Sequence, residues 1–87
     1  MTRGVVKSAR LSPTGDLEFY LVGDQRMFYI NRATDKNLDV QKLVRHLPHG
    51  HVTLYYADQW TILDPLGSSR HVTQLTFEKD LLFTELQ

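Results

Sequence analysis

The chain of 87 residues has the length of one small domain, and its hydrophobic share of 41% is that of a folded protein. It has no cysteine, which excludes disulfides and thiolate metal sites, and its ten basic and ten acidic residues give a formal net charge of zero. No apolar run is long enough for a membrane span or a signal peptide. We therefore expect a single cytoplasmic domain over residues 1–87, without membrane contact.

The N-terminal third of the chain predicts three strands joined by short loops. Residues 4–11 alternate between apolar and polar side chains, with Lys7 at an exposed position. Pro13 and Gly15 then mark a tight turn. Residues 17–30, LEFYLVGDQRMFYI, form two alternating runs on either side of Gly23 and Asp24, which predicts a β-hairpin with a two-residue type II′ loop.

The predicted hairpin has one apolar face and one mixed face. Pairing outward from the turn sets Tyr20 opposite Met27 and Glu18 opposite Tyr29. Because strand side chains alternate, the other face collects the apolar residues, and we expect it to be buried. Its members are Leu17, Phe19, Leu21, Phe28 and Ile30.

A helix and further strands follow the hairpin. Residues 31–36 are polar and predict a loop. Four apolar residues at helical spacing then predict a short helix, with Asn37 or Asp39 as its N-terminal cap and Pro48 and Gly50 at its end. These four residues are Val40, Leu43, Val44 and Leu47.

The last third predicts strands at residues 51–56, 71–77 and 81–86, separated by one long loop. The alternation of residues 71–77 predicts that Thr73, Leu75 and Phe77 point inward. Residues 57–69 form the long loop, in which we expect Trp60 to be packed against the barrel.

The predicted order is therefore β-β-β-α-β-β with an extra C-terminal strand. This order resembles the OB-fold, a small Greek-key barrel, over nearly the whole chain, and it does so in element order only. The resemblance implies a mainly β (α+β) fold, a small and partly open barrel with the helix as its plug. An SH3-like barrel and an open sheet packed on one helix are the alternatives.

The outer face of the hairpin is the main candidate site. Surface tyrosine and methionine are typical of protein interfaces, and in an OB-like barrel they also stack on single-stranded nucleic acid, although a net charge of zero weighs against the latter. We predict a non-catalytic module that contacts a protein partner or a second copy of itself, with nucleic acid as the alternative. Simple cross-strand packing would also explain these residues. The candidate contacts are Tyr20, Met27, Tyr29 and Tyr55, with Arg26 and Arg32 at the rim.

Two other groups of residues are further candidate sites. The long loop at residues 57–69 combines aromatic and acidic residues, which is typical of small-ligand pockets, and this is a further alternative. The four histidines lack the spacing of known zinc motifs, so we predict no metal site and no cofactor. The serines and carboxylates form no catalytic motif, and we expect no enzymatic activity. The histidines are His46, His49, His51 and His71.

Overall fold

The computed structural model describes residues 1–36, 38–57 and 69–85, which contain six strands and one α-helix. The strands are β1 (Thr2–Leu11), β2 (Leu17–Leu21), β3 (Met27–Ile30), β4 (His51–Ala57), β5 (Ser69–Phe77) and β6 (Asp80–Thr84). A 3₁₀ turn (Ala33–Asp35) and helix α1 (Val40–His46) lie between β3 and β4. The order of elements predicted from the sequence is confirmed.

Five of the strands form a closed barrel. The sheet runs in the order β3-β2-β1-β4-β5-β6, and a parallel pairing of β3 with β5 closes the ring. All other pairings are antiparallel, and β6 bonds to β5 outside the ring. This mixed five-strand barrel with one extra strand is consistent with a small OB-like barrel, and its ring is closed rather than partly open.

The predicted faces of the hairpin are confirmed. Phe19 pairs with Phe28 across β2 and β3, both are fully buried, and their ring centroids lie 5.8 Å apart. Burial of such aromatic side chains is the main stabilising contribution of a small core. The other strands, the 3₁₀ turn, the helix and its C-terminal cap complete the core with Val6, Val52, Leu54, Val72, Leu75, Phe83, Ala33, Val40 and Leu47.

The loop of the hairpin is longer than the alternation predicts, because it spans residues 22–26. The Asp24 N–H donates to the Leu21 carbonyl, and Gly23 has a φ of 77°, so the chain turns before Asp24. The Asp24 carboxylate then accepts the backbone N–H of Arg26 at 2.9 Å. These local hydrogen bonds replace the predicted two-residue type II′ loop, and β3 begins only at Met27.

Two bulges change the alternation of β5 and β6. Tyr55 pairs with Gln74 while Tyr56 pairs with Val72, so Thr73 is the extra residue of β5. The buried residues of β5 are consequently Val72 and Leu75, and the prediction that Thr73 points inward with Leu75 is wrong. Phe77 is half-buried and packs against the core, as predicted. A second bulge, between Leu75 and Thr76, leaves Leu82 as the extra residue of β6.

Helix α1 begins after Asp39, whose carboxylate accepts the Lys42 N–H at 3.1 Å. This is the predicted N-terminal cap. Asn37, the other predicted cap, and residues 58–68 with Trp60 lie outside the described residues. In the part of the chain that is described, no helix has the length and apolar character needed to cross a membrane.

Candidate functional site

The outer residues of the barrel form two rows that cross neighbouring strands. One row runs from Arg10 on β1 to Glu18 on β2, Tyr29 on β3 and His71 on β5. The second row begins at Ser8 on β1, which pairs with Tyr20 on β2. The register of β2 and β3, continued by one residue, places Tyr20 opposite Met27. Met27 in turn pairs with Ser69 on β5. The structure therefore brings together three of the predicted contact residues, Tyr20 on β2 and Met27 and Tyr29 on β3.

The tyrosine face, as we call Tyr20, Met27, Tyr29 and His71, has graded exposure. Tyr20 is 37% exposed, whereas the other three side chains are half-buried. The Tyr29 ring stacks on the His71 imidazole, with centroids 5.5 Å apart and planes 20° apart. Such stacking across β3 and β5 fixes two flat side chains side by side on the surface.

His71 is also held from the C-terminal side. Its Nε2 lies 2.8 Å from Oε1 of Glu85, and the same carboxylate oxygen lies 3.9 Å from the ammonium of Lys36. The sequence prediction did not include His71 in this face. Its position depends on the parallel pairing of β3 with β5, which joins residues far apart in the chain.

Tyr55 lies apart from the other predicted contacts. It is on β4 and 44% exposed, with Gln74 of β5 as its strand partner. Strand β5 separates β4 from β3 in the ring. Tyr55 is therefore an exposed strand tyrosine outside the tyrosine face.

Arg26, predicted at the rim of the site, is half-buried and held by neighbouring side chains. Its guanidinium makes a two-pronged ion pair with Asp24, with Nη2 to Oδ2 at 2.8 Å and Nε to Oδ1 at 3.0 Å. It also donates to the Tyr56 hydroxyl at 3.0 Å and lies 5.2 Å from the centroid of Phe28. The side chain thus covers the end of the buried core, in a stacked and bidentate geometry that arginine favours.

This network changes the proton affinities of its members. The hydrogen bond from Arg26 holds the pKa of the Asp24 carboxyl below its usual value, although burial opposes the effect, and the same bond raises the pKa of Arg26. Hydrogen bonds with Thr2 and Arg26 lower the pKa of the Tyr56 phenol. Each shift stabilises the charged form of the group, so the network is strongest when Asp24 is ionised.

We expect Asp24→Asn to destabilise the protein by about 1–2 kcal/mol at pH 7, because it removes the charged partner of a half-buried guanidinium. The pKa of Asp24 is lower in the folded state than in the unfolded one, so its contribution is complete above about pH 4 and is lost as the pH falls below that. Urea denaturation of the unchanged protein and of Asp24→Asn, at pH 7 and at pH 3, measures the difference in their free energies of unfolding. Asp35→Asn, the same change at an exposed site, is the control. If the stability difference between the two proteins did not decrease at pH 3, the stabilising role of the ionised Asp24 carboxylate would be contradicted.

Arg32 is exposed and has a φ of 51°, in the left-handed region. Its backbone N–H donates to the Asp16 carboxylate at 2.8 Å, which fixes the chain where β3 passes into the 3₁₀ turn. Arg10, in contrast, is paired with Glu18 at 2.6 Å.

Comparison of the chain with protein-family models, with curated proteins and with solved structures finds no match. The geometry of the described residues is therefore the basis for any functional assignment. Within those residues no group of histidines and carboxylates is arranged to hold a metal ion. The alternative ligand site at residues 57–69 falls almost entirely outside them.

Proposed function

We propose that the protein is a non-catalytic, cytoplasmic binding module that contacts another protein through the tyrosine face. The observation that carries the proposal is the clustering of Tyr20, Met27, Tyr29 and His71 on three neighbouring strands. Tyrosine and methionine are enriched at protein interfaces, because they supply large contact areas at a small cost in side-chain entropy. Glu18 and Ser8 lie beside them and supply the polar margin that interfaces have.

The charges near this face support a protein partner over nucleic acid. Arg10 is paired with Glu18, and Arg26 is paired with Asp24. Nucleic acid binding depends on cations that contact phosphates, and these two cations already have acidic partners in the same chain. The net charge of zero supports the same choice.

Single-stranded nucleic acid is the second candidate, because of the barrel itself. OB-like barrels use the outer face of β2 and β3 for this purpose, and that is where Tyr20 and Tyr29 lie. The stacked pair of Tyr29 and His71 presents flat rings on which bases can stack.

Site-specific photo-cross-linking in the native host separates these candidates. A benzoylphenylalanine in place of Tyr20 is expected to give a covalent adduct with a protein, either a second copy of the chain or a different one. The same amino acid in place of Tyr55 is the matched control, since both positions are exposed strand tyrosines. Mass spectrometry identifies the adduct, and nuclease treatment reveals any nucleic acid.

For the partner found in this way, we expect Tyr20→Ala to weaken binding at least about fivefold, because a tyrosine at the centre of an interface contributes more than about 1 kcal/mol. Tyr55→Ala is expected to leave the affinity unchanged. Isothermal titration calorimetry measures both. Equal adduct yields at the two positions, or adducts that disappear with nuclease, would refute the proposed protein contact at this face.

A further inference from the structure

A groove of about 550 Å³ runs beside β6, next to the C-terminal end of the described chain. Its residues, which together we call the β6 groove, are Lys36, Leu38, Leu81, Leu82, Phe83, Thr84 and Glu85. Successive strand side chains point to opposite faces of a sheet. A groove lined by the five consecutive residues 81–85 therefore follows the edge of the strand rather than one of its faces.

β6 is the edge strand of the sheet formed by the described residues. In the described ranges the sheet ends at β6, which pairs with β5 along one side and with no strand along the other. An edge strand presents backbone N–H and C=O groups outward, and extended peptides bind to such edges by strand addition. The volume of the groove lies within the range of ligand sites, about 300–1,000 Å³.

The side chains of the groove favour apolar ligand residues. Leu81 is 58% exposed, and Leu38 and Leu82 are half-buried beside it. Phe83 forms the floor, since it belongs to the buried core. An added strand would cover these side chains and bury apolar surface that now contacts water.

Lys36 lies at one end of the groove, where Glu85 is its acidic neighbour. Its ammonium lies 5.8 Å from the Phe83 ring centroid, and its distance of 3.9 Å from Oε1 of Glu85 is too long for a hydrogen bond. That oxygen is already within 2.8 Å of His71. The ammonium carries three donors, so it has the capacity to bind a carboxylate supplied from outside.

We propose that the β6 groove binds an extended peptide segment of another protein, which adds to the edge of β6 and sets an acidic side chain at Lys36. A second copy of the chain fits this edge less well. Its own β6 carries the bulge at Leu82, and bulges on edge strands interrupt pairing between two rigid sheets. A flexible peptide, in contrast, follows an irregular edge.

A random dodecapeptide library displayed on phage and selected on the full chain tests this proposal. We expect enriched sequences with alternating apolar residues and one acidic residue. In the NMR spectrum of the labelled protein, the corresponding synthetic peptide is expected to shift the amide signals of residues 36, 38 and 81–85. Failure to enrich any sequence would overturn the proposal, and so would shifts centred on Tyr20 and Met27.

A double-mutant cycle tests the contact with Lys36. Lys36→Gln, and replacement of the peptide acid by its amide, are each expected to weaken binding about tenfold, and the two changes together by little more than one alone. Lys79→Gln, at an exposed lysine in the turn between β5 and β6, is the matched control and is expected to leave binding unchanged. Additive losses in the cycle would overturn the assignment of Lys36.

The outcome is independent of the function proposed for the tyrosine face. Tyr20→Ala is expected to leave peptide affinity unchanged, and Lys36→Gln is expected to leave the Tyr20 adduct unchanged. Sedimentation equilibrium of the protein alone tests whether a second copy of the chain occupies the β6 groove instead. A dimer that Leu81→Lys converts to a monomer would assign the edge to a second copy and overturn the proposed peptide.

Discussion

Phe28→Ala is expected to destabilise the protein by about 3–5 kcal/mol. The Phe28 side chain is fully buried, stacks on Phe19 at 5.8 Å and contacts Tyr56 at 6.0 Å between ring centroids. It also lies under the Arg26 guanidinium. Removal of the ring leaves a cavity and takes away the surface on which Arg26 rests, so two kinds of contact are lost together.

A loss of this size is a large fraction of the total stability of a small domain, which is about 5–10 kcal/mol. Urea denaturation followed by circular dichroism measures it. Phe28→Leu keeps most of the volume and is expected to cost only about 1–1.5 kcal/mol. A similar loss for both variants would mean that the ring, and not its volume, is what the core requires.

Gly50→Ala is expected to be the second most harmful change, at about 2–3 kcal/mol. A Cβ at this position would collide with Cε2 of Phe77, would lie 2.6 Å from Cζ of the same ring and would lie 3.1 Å from the Leu47 carbonyl oxygen. The backbone cannot move away easily, because the Gly50 N–H donates to Leu47 and its carbonyl accepts from Val6. Gly50 thus provides space where the chain passes from α1 to β4.

Two further variants separate this collision from other effects of glycine. Phe77→Leu should relieve part of the collision, so the double variant is expected to lose less stability than the sum of the two single losses. Gly23→Ala meets no atom within 4 Å, but its φ of 77° is unfavourable for alanine and should cost about 1 kcal/mol. Thermal or urea denaturation compares all four proteins. Strictly additive losses would contradict the collision with Phe77.

The fold was largely predictable because most of it depends on local alternation. Phe19 and Phe28 are buried and Tyr20 is exposed, as the period of two along residues 17–30 predicts. The bulge at Thr73 was not predictable, since it is set by the partner strand and not by the sequence of β5. The same holds for the parallel pairing of β3 with β5, which no pattern in either strand indicates.

The candidate site was predictable to a smaller degree. The sequence predicts that Tyr20, Met27 and Tyr29 share one face, because they belong to one hairpin. His71 and Glu85 join this region only through pairings with distant parts of the chain. The sequence predicts Arg26 at the rim, and the structure adds that Asp24 and Tyr56 hold its guanidinium. Asp24, two residues away in the chain, is a local signal for this contact, whereas Tyr56 is not.

The parallel pairing of Met27–Tyr29 with Ser69–His71 also has a kinetic consequence. About forty residues separate the two partners, so the barrel closes only after β5 has left the ribosome. The β1–β3 segment has local contacts and can form earlier, whereas closure must overcome the entropy of a long loop. Refolding is therefore expected to be slow for a chain of this length, with the stacking of Tyr29 on His71 among its last events.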